Sequence, residues 1–237
     1  MESRVFSKPE ELADCADVVF TDCEFRHLKL NGVSFRESRF SRCRFSDVRL
    51  ASCDFTEACF EDSTFHEKDA EVRFAYCKLD QARFERCKLI DAILEGCTCY
   101  ALVLRDCDCR SLQALRCEFF KVFSRKLLVA DATFEDCNFS YANLEGAYLK
   151  ECRLVKCRLL EAGLRKADLT GADLSGSLIQ NCELDGASLA GADLRGAQIV
   201  GLNLAALASY QGMRICASQQ YSLLSELGIA VEADEET

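Results

Sequence analysis

From Phe20 to Phe65 every fifth residue is Phe or Leu: Phe20, Phe25, Leu30, Phe35, Phe40, Phe45, Leu50, Phe55, Phe60 and Phe65. The frame then slips once, by nine residues to Phe74, and runs on through Leu79, Phe84, Leu89 and Leu94 to Leu204. Ser124 is the one polar residue among the 27 positions of this second run. A helix repeats every 3.6 residues and a strand every 2, so neither gives a period of five. A chain wound into coils with four similar five-residue sides does. The residue two before each centre is never charged; it is Cys23, Cys43, Cys53, Cys77, Ala82, Cys87, Ala92, Cys97, Ala142 and so on. Each side therefore points one large and one small residue inward, and the remaining three outward.

This placement accounts for the cysteines. Twelve of the 17 occupy the small inward position, where a buried thiol acts as a small hydrophobe. Their odd number, and an N-terminus without an apolar signal segment, argue against a disulfide framework. Residues 20 apart are expected to stack, which puts Cys77, Cys97, Cys117, Cys137 and Cys157 in one column. Cys53 joins them if the slip after Phe65 is a four-residue insertion. A column of thiols without a CxxC pair is a poor tetrahedral metal site, so no metal and no cofactor are expected.

Composition narrows the function. The 237 residues include 39 acidic and 29 basic side chains, a net charge of −10, which disfavours direct binding to nucleic acid or an anionic membrane. No apolar run is long enough to cross a bilayer, and the expected location is the cytoplasm. His27 and His66 are the two histidines, far apart in sequence, and no nucleophile–base pair suggests itself. An enzyme is not expected.

The segments Ala142-Asn143-Leu144-Glu145-Gly146, Ala167-Asp168-Leu169-Thr170-Gly171, Ala172-Asp173-Leu174-Ser175-Gly176 and Ala192-Asp193-Leu194-Arg195-Gly196 resemble the A(D/N)LXX motif of pentapeptide-repeat proteins. The resemblance implies an all-β fold, a right-handed quadrilateral parallel β-helix, over residues 18–205. The early repeats depart from the motif, with Cys, Val or Ser for Ala and Phe for Leu. Residues 1–17 are expected to form an N-terminal cap or tail, with Pro9 in a first helical turn.

Two breaks and one end carry the candidate sites. The charged stretch 66–73 is expected to be an exposed loop, with Glu67, Lys68, Asp69, Glu71 and Arg73 as partner-binding residues. The irregular segment 120–131 offers Phe120, Lys121, Phe123, Arg125 and Lys126, either as a bulged coil or as an apolar and basic patch. Residues 206–231 read as a connecting segment and a short α-helix, capped by Ser218 and stopped by Gly228, with Ile229, Ala230 and Val231 following as a strand. Residues 232–237 read as an acidic tail.

This layout, with Leu227-Gly228-Ile229-Ala230-Val231 near its end, resembles the Qnr group of quinolone-resistance proteins and their relatives McbG and AlbG. The resemblance implies a homodimer joined through the C-terminal helix, with Tyr221, Leu223, Leu224, Leu227 and Ile229 at the interface. It also implies contact with DNA gyrase and topoisomerase IV, and protection from quinolones or gyrase-poisoning toxins by a rod shaped like duplex DNA. Charge limits the mimicry. Residues 18–205 hold 29 acids and 26 bases, whereas duplex DNA of the expected rod length, ~44 Å, carries about 26 charges. Specificity must then come from loops and local patches. The alternative is a non-catalytic interaction scaffold with a different partner.

Overall fold

The computed structural model describes residues 1–230 apart from Asp14, Asp69 and Lys126. The chain is a four-sided parallel β-solenoid closed by a short C-terminal helix. Among the described residues, a seven-stranded sheet runs along the first side, from Val19–Thr21 through Arg39–Ser41 and Cys59–Glu61 to Arg153–Val155. A six-stranded sheet turns a corner: its strands Glu24–Asn31 and Arg44–Ala51 each cover the second and third sides. The fourth side is held by single bridges such as Ser34↔Asp54, Asp54↔Lys78 and Lys78↔Thr98.

The inward fifth residues form the core. Phe20, Phe40, Phe60 and Phe84 stack down the first side with ring centroids 4.8, 4.6 and 4.4 Å apart and rings nearly parallel. Phe25, Phe45 and Phe65 do the same on the second side, 4.5 Å apart at each step. Such offset stacks add to the burial of the rings themselves. The small inward position has a second task. Its thiols and hydroxyls donate to the carbonyl of a core residue one coil below, as in Cys97 Sγ to Phe74 O (3.3 Å), Cys107 Sγ to Phe84 O (3.4 Å) and Ser177 Oγ to Leu154 O (2.7 Å). Cys and Ser thus alternate here because both donate. Burial pushes the Cys43 and Cys152 thiols up to about 12, so they stay protonated.

The motif's Asp or Asn ties the outer turn. Asn143, Asp168, Asp173 and Asp193 each accept, through Oδ1, the backbone N–H of the residue two further on, at 3.0 to 3.1 Å. The corner residue two past each centre lies in the left-handed region. In the last coils it is mostly Gly, with exceptions such as Lys166 and Asn181, whereas earlier it is more often a residue with a side chain, such as Asp22, Arg42, Asp62, Arg86, Ala101 or Asp106. A side chain there costs about 1 kcal/mol relative to Gly. Some corners offset this with ion pairs between coils: Arg42 forks onto Asp22 (2.7 and 2.8 Å) and Arg86 onto Asp62 (2.8 and 3.2 Å). Ala101, at φ 57°, has no such compensation. Ala101→Gly is expected to raise stability by about 1 kcal/mol in urea unfolding; a loss would contradict the strain argument.

The register shows what each break does. Neighbouring coils are offset by 20 residues from Val19↔Arg39 onward. The offset becomes 24 across the first break (Arg49↔Arg73), so that step is a four-residue insertion and Cys53 does lie beneath Cys77. Across the second break it becomes 30 (Leu102↔Ala132, Asp108↔Asn138). The single cysteine column expected from the sequence is therefore two. Cys53, Cys77, Cys97 and Cys117 share the fourth side, while Cys137 and Cys157 continue Cys87 and Cys107 on the second. Ten residues have left the coil, which is two whole repeats and half a turn.

The ends are covered from within the chain. Val5–Phe6 pairs with Glu24–Asn31, Phe6 stacks on Phe25 at 5.1 Å, and the 3-10 turn Pro9–Leu12 buries Leu12 over the first coil. At the far end a 3-10 turn, Ala217–Gln219, leads into the helix Gln220–Glu226. Gln219, not Ser218, organises its start. Its Oε1 accepts from Cys216 N (2.5 Å), and its Nε2 donates to Leu194 O (2.7 Å) and Ala197 O (2.6 Å) of the last coils. Gly228, at φ 75°, stops the helix: Gly228 N donates to Ser225 O and Ile229 N to Leu224 O. Ile229 and Ala230 form no strand; the chain there is irregular after the helix stop at Gly228. Val231 and the expected acidic tail lie outside the described residues.

The connecting segment is pinned by Asp193. Its carboxylate is almost fully enclosed, takes three bonds from the Arg195 side chain (2.9, 3.2 and 2.7 Å), and meets Arg214 at 2.9 Å. The Arg195 hydrogen bonds, with Arg214 behind them, hold this carboxyl at about 2. A pKa depressed on folding gives stability that is full above the unfolded carboxylate value near 4 and is lost as pH falls through about 2. The stability gap between the native chain and Asp193→Asn should therefore be widest above pH 4 and close toward pH 2. A gap independent of pH would contradict the assignment.

Candidate partner-binding surfaces

The two breaks leave the rod at opposite corners. The first departs after Phe65 on the second side and rejoins at Phe74 on the third. The second departs after Phe119 on the fourth side and rejoins at Phe134 on the first.

The first loop is partly spent on its own attachment. Val72 is buried, Glu71 meets Arg73 at 3.2 Å and Arg49 at 3.9 Å, and Arg73 also pairs with Glu95 at 2.9 Å. Glu71 and Arg73, both read from the sequence as partner residues, thus act first as staples. Glu67 and Lys68 are exposed at the tip, with a bridge from Glu67 to Ala70. Asp69 lies outside the described residues.

The second break is a β-hairpin standing off the rod rather than a bulged coil. Phe120–Ser124 pairs antiparallel with Leu127–Ala130, from Phe120↔Ala130 to Ser124↔Leu127. Asp131 N donates to Phe119 O (3.1 Å) and Ala101 N donates to Asp131 O (2.6 Å), closing the coil beneath it. Aromatics on the fourth side hold its base. Phe120 packs edge-on to Tyr148 at 5.5 Å, Phe123 to Tyr100 at 5.9 Å, and Lys121 Nζ lies 5.8 Å over the Tyr100 ring. Val122, Leu127 and Leu128 are exposed, and Phe123 remains 55 % exposed despite its contact with Tyr100. Water rarely meets four adjoining large apolar side chains unless a partner covers them. Lys121 and Arg125 flank them, exposed; Lys126 lies outside the described residues. The sequence singled out Phe120, Lys121, Phe123 and Arg125 but missed Tyr100 and Tyr148, which look like ordinary outward residues of two repeats.

At the C-terminal end the expected interface residues divide. Leu223, 4 % exposed, packs on the chain's own last coil and is not available to a partner. Leu224 is half-buried. Tyr221, Leu227 and Ile229 are exposed, and Val200 of the last coil adds to them.

The profile of the pentapeptide-repeat family matches the chain in eight copies, over residues 29–66, 70–98, 130–162, 137–176 and 172–205. No curated protein matches it in sequence. Among solved structures, full-length QnrB1, a plasmid-mediated fluoroquinolone resistance protein, is similar with a TM-score of 0.73 at 22% identity, over 90% of this chain and 98% of that one. A trypsin-treated QnrB1 variant is similar over 98% of both chains, with a TM-score of 0.71 and 22% identity. HetL, a pentapeptide-repeat protein involved in heterocyst differentiation regulation in the cyanobacterium Nostoc, is similar with a TM-score of 0.62 at 20% identity, over 90% of this chain and 84% of that one.

Proposed function

Because the chain belongs to the pentapeptide-repeat family, we propose that it is a non-catalytic binding rod, cytoplasmic, that contacts DNA gyrase, and topoisomerase IV by the same surface, and protects the enzyme from quinolones or gyrase-poisoning toxins. The observation that carries the reading is the hairpin 120–130. It is apolar at its tip, cationic at its flanks, anchored by aromatic contacts and separable from the coil. The end-to-end likeness in fold to a fluoroquinolone resistance protein supports it. The rod supplies a rigid duplex-like girth, and the hairpin and the Glu67–Lys68 tip supply specificity.

A supercoiling assay with purified gyrase and a quinolone or peptide toxin tests this. Rescue of supercoiling is expected. Replacing Val122, Phe123, Leu127 and Leu128 together by Ser should abolish rescue and leave the thermal transition of the rod in place. Absence of both rescue and inhibition at every concentration would refute the reading. Recovery of a different protein on an affinity column, with no topoisomerase, would favour the scaffold alternative.

A homodimer through the C-terminal end is part of the same proposal. Tyr221, Leu227, Ile229 and Val200 present an apolar surface next to the helix. Charged replacements at Tyr221, Leu227 and Ile229 should yield monomer by sedimentation, whereas Leu223 should act on stability instead. An unchanged dimer would place the interface elsewhere.

A further inference from the structure

We infer that a groove on the second side of the N-terminal coils, bordered by the start of the first loop and distinct from the hairpin and the helix, binds an acidic segment of a partner protein. The inference rests on the reading of the rod as a protein-binding module but not on which protein it binds. The groove encloses about 750 Å³, with the corner ladder Asp22, Arg42, Asp62 and Arg86 on one wall and His66 and Glu67 at the other rim.

Its charges are unequally spent. Arg42 is neutralised by Asp22, Arg86 by Asp62, and Arg26 by Glu24 at 2.6 Å. Among the described residues, those pairs consume every acid lining the groove except Glu67. Arg44 and Lys88, both exposed, have no ion pair among the described residues. Arg44 and Lys88 flank Thr64 one rung to either side, in register (Arg44↔Thr64↔Lys88). At ladder spacing their backbones lie ~10 Å apart, close enough for both long side chains to converge on carboxylates seated over Thr64. A concave wall focuses their field.

The third side shows that the fold can neutralise such a column. There Lys29, Arg49 and Arg73 stack in the same way, and the first loop brings Glu71 onto Arg49 and Arg73. Among the described residues no acid pairs with Arg44 or Lys88. A groove of this volume, with two cations spaced along it, suits an extended chain better than a single small anion.

Titration of the full-length protein with hexaglutamate at low salt, followed by calorimetry, tests the inference. Binding that weakens with added salt is expected. The double variant Arg44→Ala, Lys88→Ala should bind at least tenfold more weakly, while Arg49→Ala on the third side should not; circular dichroism checks that each remains folded. No binding, or equal binding by the double variant, would overturn the inference. So would tighter binding of an oligothymidylate of equal charge, which would make the ligand a nucleic acid. The titration contains no topoisomerase, so its failure and the failure of the protection assay are separate results.

Discussion

Phe60→Ala is expected to lower stability by about 3–5 kcal/mol and to split the unfolding transition in two. Phe60 is fully buried. It stacks on Phe40 at 4.6 Å and on Phe84 at 4.4 Å, and meets Phe65 and Phe45 edge-on at 5.4 and 6.2 Å. Truncation removes the buried ring and leaves a void that the parallel ladders on either side prevent from collapsing. It also interrupts aromatic contacts worth roughly 0.5–1.5 kcal/mol each. In a solenoid each coil leans only on its neighbours, so the lesion uncouples the coils below it from those above. Leu169→Ala, in the aliphatic part of the core, should cost about 2–3 kcal/mol without splitting the transition. Urea unfolding followed by near-ultraviolet circular dichroism separates the two cases. A loss below about 2 kcal/mol for Phe60→Ala, or a larger one for Leu169→Ala, would contradict the stacked-ring account.

The second large effect is expected at Gln219. Gln219→Ala removes both amide donors that reach Leu194 O and Ala197 O and the acceptor for Cys216 N. Ala197 O then lacks a partner, at about 1–3 kcal/mol, while Leu194 O keeps the bond donated by Ala197 N. The loss should be local. Amides of Gln220–Glu226 should lose protection in hydrogen exchange while those of Glu24–Asn31 keep theirs. If the helix amides are as protected in the variant as in the native chain, Leu223 and the bond from Gly201 N to Glu226 hold the helix and the amide is incidental.

The core was legible in the sequence because its signal is repetitive. Phe25, Phe84 and Leu169 each belong to a run that only a four-sided coil explains, and all three are buried. The hairpin was only half legible. Ser124 broke the apolar run, but an excursion of ten residues preserves a period of five, so nothing in the frame showed that half a turn had been skipped. For that reason Cys117 and Cys137, 20 residues apart, were assigned to one column and lie on opposite sides. Individual contacts at the C-terminus were less legible still. A Gln before a helix reads as surface, and nothing in the spacing of Leu223, Leu224 and Leu227 says that the first of them faces inward. The roles of Glu71 and Arg73 as staples depended on Arg49 and Glu95, each 22 residues from its partner, and the pair with Arg49 becomes visible only once the insertion is counted.

The hairpin's closure has a practical consequence. Because Asp131 N bonds Phe119 O directly, the winding resumes at the next corner whatever the length of chain between them. Loop length is thus decoupled from helical phase. A foreign peptide spliced between residues 120 and 130 should be displayed at a fixed height on a stiff shaft, which makes this corner a natural graft point for engineered recognition sequences.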